Sequence, residues 1–117
     1  WETEKGCKVQ WVAMGDGSVA DHRAYFARFA ELCPGVAVNI ETIGGFAMEL
    51  AYLEPAFWEV WPKRTASELA RFLRLVRRGR AVDQYNGNEV ARQKEDLERS
   101  LRYCIETLGL GVRAHRG

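Results

Sequence analysis

Long apolar runs are missing from this sequence. No stretch approaches the roughly 18 consecutive apolar residues of a membrane-spanning helix, which excludes that class. Net charge is missing as well. The 17 basic and 16 acidic side chains leave +1. That balance gives no whole-molecule attraction to nucleic acid or to an anionic membrane, and neither is expected as a partner. Cysteine is scarce and odd in number, at Cys7, Cys33 and Cys104. With no Cys-x-x-Cys pair, a zinc cage and a thioredoxin-like motif are excluded. The three residues read as reduced thiols of a cytoplasmic protein. Histidine is limited to His22 and His115, so chemistry that needs several imidazoles cannot be assembled. No basic segment followed by an apolar one marks a secretory signal. The opening Trp1-Glu2-Thr3-Glu4-Lys5-Gly6 reads as an excision from a longer polypeptide.

What is there has the pattern of an α/β protein. Residues 8–14 (Lys-Val-Gln-Trp-Val-Ala-Met) form a short apolar run stopped by Gly15-Asp16-Gly17. Little polar alternation predicts a strand buried on both faces. Residues 21–33 follow, with Phe26, Phe29, Ala30 and Cys33 on one helical face, Asp21 as N-cap and Pro34-Gly35 as stop. Residues 36–41 are β-branched and short and predict a second strand. Strand, helix and strand within residues 1–46 have the size of a βαβ unit, which joins parallel strands. Two parallel strands cannot cover both faces of their own sheet. Residues 47–117 read as a helical region covering that unit. Pro55 opens a short helix. Thr65-Ala66-Ser67-Glu68 is a capping box ahead of a helix over 67–78 bearing Leu69, Phe72, Leu73 and Val76. A long helix over 89–108 carries Val90, Leu97, Leu101, Cys104, Ile105 and Leu108 as its apolar stripe, with Glu95–Arg99 and Glu98–Arg102 as i,i+4 pairs.

Glu41 is the leading candidate for chemistry. An acid at the C-terminal end of a buried parallel strand sits where α/β enzymes place their sites. The alternative is a strand-end carboxylate turned to solvent or paired with an arginine. Gly15-Asp16-Gly17-Ser18 follows the first strand on the same rim. Its amides can face an anion and Asp16 can hold a hydroxyl or a metal; the plain reading is a turn. Phe57, Trp58 and Trp61 can stack on a sugar ring or fill a core. Lys63, Arg64, Arg71, Arg74, Arg77, Arg78 and Arg80 read as a solvated face, since no aromatic interleaves them as a stacking platform requires. His22 and His115 read as solvent histidines, and no nucleophile has a partner constellation.

Three blocks carry a resemblance. Residues 10–19 (Gln-Trp-Val-Ala-Met-Gly-Asp-Gly-Ser-Val), 29–36 (Phe-Ala-Glu-Leu-Cys-Pro-Gly-Val) and Ile40-Glu41-Thr42 resemble the last part of sugar phosphate isomerase/epimerase family proteins. Residues 52–58, 70–73 and 96–104 extend the likeness over nearly the whole chain. These proteins are similar to xylose isomerase in having a TIM barrel. The resemblance implies the C-terminal part of an incomplete (β/α)8 barrel, since a full one needs about 250 residues. Residues 8–14 would belong to its seventh unit and 36–41 would be its eighth strand. It also implies a divalent metal (manganese, magnesium, cobalt or zinc) at the barrel mouth, held by carboxylates and a histidine. Two glutamates would exchange a proton beside a carbonyl, through an enediolate. Glu41 matches the last of those glutamates, as proton carrier and metal ligand. Gly15, Asp16 and Gly17 match a Gly-acid-Gly loop near the substrate, with Trp58 as a further substrate contact. The family has an acid directly after the position of Val19, whereas here Ala20 intervenes before Asp21.

The expectation is therefore part of a metal-dependent isomerase or epimerase of a sugar or cyclitol, with the remaining N-terminal barrel segment and a second copy in a homo-oligomer as its candidate partners. A non-catalytic interaction module, assembled through exposed edges, is the alternative. An abasic-site endonuclease of the same superfamily is disfavoured by two histidines and near-neutral charge.

Overall fold

A computed structural model describes residues 1–83 and 88–111. Seven elements follow one another: β1 (Glu2–Thr3), β2 (Gly6–Gln10), α1 (His22–Leu32), β3 (Ala47–Leu50), α2 (Pro55–Glu59), α3 (Ala66–Arg78) and α4 (Glu89–Glu106). The three strands form one sheet in the order β1-β2-β3, antiparallel throughout. Cys7 faces Leu50 and Gln10 faces Ala47 across β2 and β3. The ladder runs past the strand ends. Trp1 and Lys8 exchange backbone bonds of 2.9 and 3.1 Å, and the Trp11 amide donates to the Phe46 carbonyl at 3.0 Å.

This sheet overturns the expected parallel βαβ unit and the barrel fragment built on it. The first strand begins two residues earlier than expected and ends at Gln10, and residues 36–41 form no strand. Its partner is 47–50, running the other way. The physical reason lies in cover. A parallel pair must be buried on both faces, whereas an antiparallel sheet can leave one face to water. α1, the expected crossover helix, does not supply that second cover, since none of its residues is buried. Cys7 and Val9 instead point into a core with Tyr52 and Val76, joined by half-buried Leu50, Phe57, Trp58, Phe72 and Leu73.

Local signals act as the chain chemistry dictates. Asp21 caps α1 by accepting from the Ala24 amide at 3.0 Å. Pro55 starts α2. In the box that opens α3, the Glu68 amide donates to Thr65 Oγ1 at 3.3 Å and the Thr65 amide donates to Glu68 Oε2 at 2.9 Å. The Thr65 backbone and hydroxyl donors hold the Glu68 carboxyl below the usual carboxylate range. Its contribution to stability is therefore present above the unfolded-state pKa and is lost as pH falls through the lower, folded one. Thermal melts across the acid range should show this loss. Glu68→Gln should flatten that limb, and an unchanged acid limb would contradict the role.

α4 buries Cys104 as expected, but its buried face is turned about a quarter-turn from the apolar stripe. Its buried residues are Asp96, Ser100 and Cys104, while Val90, Leu97, Leu101 and Ile105 are exposed. Neither expected i,i+4 pair is among the ion pairs of the described residues: Arg99 binds Asp16, and Glu98 lies 3.9 Å from Lys94. Among the described residues, no helix is long and apolar enough to cross a membrane.

Candidate functional site

The Gly-acid-Gly segment is a tight turn. The Asp16 amide donates to the Ala13 carbonyl at 3.1 Å, and Gly15 at the third position has φ +95°. A type II turn needs that sign of φ, which glycine adopts without strain. The turn is anchored on α4. The Met14 amide donates to Ser100 Oγ at 3.0 Å, and Ser100 Oγ donates to the Asp96 carbonyl at 2.6 Å. Arg99 holds the Asp16 carboxylate in an ion pair. A side chain at Gly15 would strike the Tyr103 ring. Asp16 is thereby committed to α4, while Gly17 stays exposed beside it.

Glu41 lies in an exposed segment without regular structure, with no ion pair or hydrogen bond among the described residues. Its loop is tied to the same helix three residues later. A Cβ on Gly44 would lie 1.7 Å from Asp96 Oδ2, and one on Gly45 would overlap the Arg92 guanidinium. The two glycines thus leave their side-chain space to α4. Arg92 and Asp96 hold the 41–46 loop, and Arg99, Ser100 and Tyr103 hold the 14–16 turn. About three turns of helix, roughly 16 Å, span the two sets. Trp11 packs against Phe46 with rings tilted by 54° and centroids 5.0 Å apart, beside the backbone bond between the same two residues. α4 therefore lies under both the turn at Gly15 and the glycines that follow Glu41, while Glu41 itself is exposed and has no tie to the helix among the described residues.

Trp58 is not brought there. Its indole N–H donates to the Tyr52 carbonyl at 2.8 Å, and its ring meets Phe57 edge-on. It lines a separate hollow of about 300 Å³ with Trp61, Leu69 and Phe72. His22 lies edge-on to Tyr103 at 5.9 Å, and His115 falls outside the described residues. Burial pushes the Cys7 and Cys104 thiols up, so neither is disposed to act as a thiolate.

Among the described residues, no group of three or more His, Cys, Asp or Glu side chains could hold a metal ion. Glu41 stands alone, so the residues here do not make up the donor set that the resemblance implies. A hard cation needs about six donors.

Five contributors were not foreseen: Arg92, Asp96, Arg99, Ser100 and Tyr103. Their only sequence signal is a polar stripe at three- and four-residue spacing on α4. Asp96 Oδ2 and Arg92 Nε are buried and lack a hydrogen-bond partner among the described residues.

Compared with known protein families, curated proteins and solved structures, the chain matches none.

Proposed function

We propose that this chain is one part of an assembled site that moves a proton beside the carbonyl of a sugar or cyclitol, with Glu41 as a proton carrier. The observation that carries the assembly is surface. The chain exposes 9361 Å², where a compact monomer of its mass exposes about 6,500 Å². Its radius of gyration is 17.4 Å, against about 13 Å for a compact chain of this length. Val90, Val60 and Tyr25 are 78%, 71% and 63% exposed. An excess near 2,900 Å² is in the range that obligate assemblies bury.

The chemistry rests on the residue resemblance and on an open carboxylate. Glu41 is unpaired among the described residues and so is available to take up and return a proton. One carboxylate in water is a poor catalyst. A second carrier and the exclusion of solvent must come from whatever covers the apolar surface. The interaction module without catalysis is favoured by one observation, the capture of Asp16 by Arg99.

Solvent-deuterium exchange at the substrate C–H separates the two. A panel of ketoses and inosose-type cyclitols is incubated in metal-replete D2O and read by NMR. The chain alone should exchange nothing. Within the longest polypeptide its reading frame encodes, exchange should appear, and Glu41→Gln should lower it about 10²–10⁴-fold. No exchange in the longer form leaves the module reading. Exchange undiminished by Glu41→Gln refutes the role of Glu41.

A further inference from the structure

α4 has two faces, and only one of them is packed. Asp96, Ser100 and Cys104 are turned into the chain. About a quarter-turn away, Val90, Leu97, Leu101 and Ile105 are 78%, 39%, 43% and 60% exposed. Steps of seven, four and four residues keep these side chains on one stripe, roughly 22 Å long. Lys94 lies at one margin of the stripe. Glu98 and Arg102 follow on that same side, with Glu95 further round, and all four are exposed. Lys94 sits 3.9 Å from Glu98, and Arg102 has no ion pair among the described residues.

A helical stripe of this spacing is the shape that seats against a second helix. We infer that the second helix is α4 of another copy of this chain, packed antiparallel across a two-fold axis at the middle of the stripe. In such a contact, residue i meets j and j meets i. With the axis beside residues 99 and 100, Leu97 meets Leu101 of the second copy, and Leu101 meets its Leu97. Val90 comes within about a turn of its Ile105. One residue along, a shift of about 1.5 Å, Glu98 meets Arg102 of the second copy and Arg102 meets its Glu98. Two pairs of opposite charge therefore flank one apolar seam.

The charges also choose the orientation. Parallel packing would set Lys94 beside Lys94 of the second copy and place the Glu98–Arg102 side of each helix away from that of the other. Antiparallel packing brings Lys94 to Ile105 of the second copy instead. Its stem can cover that side chain while the ammonium stays near its own Glu98. The chain's surface excess, about 2,900 Å² over a compact monomer, exceeds the roughly 800 Å² that each partner of a stable dimer hides. The inference takes from the proposed assembly only this exposed surface, and names what covers the part on α4.

Sedimentation velocity of the whole chain, from about 1 to 100 µM, should show a closed monomer–dimer equilibrium. Leu101→Gln should weaken it at least about 10-fold. Glu98→Arg and Arg102→Glu should each weaken it about 3–10-fold at low salt. An equimolar mixture of those two variants should restore the parent's affinity, because each reversed charge then meets its opposite, and does so only in the antiparallel pair. All three side chains are exposed, so far-ultraviolet spectra should not change. The charge variants keep the test meaningful if Leu101→Gln unfolds. A monomer throughout, or an open series of larger species, overturns the inference and leaves the stripe to a different polypeptide. So does a dimer indifferent to Leu101→Gln, or one that mixing fails to restore. The readout is mass and not turnover, so dimerisation without proton exchange would retain this interface while removing the catalytic reading.

Discussion

Gly6→Ala should abolish the native sheet. A Cβ at this position would lie 2.1 Å from the Leu50 carbonyl oxygen and 2.8 Å from the Tyr52 amide nitrogen. Both are backbone atoms, and neither can turn aside as a side-chain end would. The φ of +157° adds strain for any L side chain. The obstruction falls where β2 and β3 meet, and Tyr52 belongs to the buried core. Relief would require parting the two strands. The expected loss exceeds about 4 kcal/mol, the range reserved for changes that break a fold's central contact. Gly35→Ala is the comparison. Gly35 has φ +77° but nothing within 4 Å of the added carbon, so the cost should stay near 1 kcal/mol. Urea titration followed by circular dichroism measures both. A Gly6→Ala chain melting within about 1 kcal/mol of the parent would contradict the close approach.

The Gly44–Asp96 contact should appear as a strongly non-additive pair. Gly44→Ala drives a methyl into Asp96 Oδ2, which is buried and has little room to move. A loss of about 2–4 kcal/mol is expected from overpacking and loop displacement. Asp96→Ala removes an oxygen that is buried without a hydrogen-bond partner among the described residues, and the aspartate's desolvation offsets much of what its packing contributes. In the Asp96→Ala background the methyl of Gly44→Ala has space. Its further cost should be near zero, which gives a coupling of about 2–4 kcal/mol. Equilibrium denaturation of the four chains at one pH measures the cycle. Additivity within about 0.5 kcal/mol would mean that the 41–46 loop does not rest on α4.

The helices were legible because their signals are local. Asp21, Pro55 and the Thr65–Glu68 box each act within one turn of the helix they start. The sheet was not legible, because residues 36–40 and 47–50 compete for the same strand. The β-branched run has the stronger propensity, yet the less β-branched Ala-Met-Glu-Leu segment takes the pairing. Propensity measures fit to a half-buried surface, and no sheet face is available to Val36 and Val38 here. α4 misled for a related reason. Its apolar stripe is evident, but the 14–16 turn and the glycine loop need hydrogen-bonding and compact partners, which the Asp96–Ser100–Cys104 face supplies. For the candidate site, the sequence pointed to Glu41 and the glycine turn by residue type. Its floor stayed hidden, since Asp16 meets Arg99 across 83 positions and no local pattern records such a pairing.

β2 also has an unusual place in time. Its neighbour β1 is at hand at once, but its other partners lie far along the chain: β3 some forty residues on and Val82 beside Gln10 at a separation of 72; just past its end, Met14 meets Ser100 at 86. On the ribosome, residues 6–14 emerge well before any of these. Contacts of such separation form slowly, because a long loop must close before they reward it. Through synthesis an apolar strand with unpaired amides therefore waits in the open, which is the condition under which strands find wrong partners. The central strand of the sheet is made early and enclosed late.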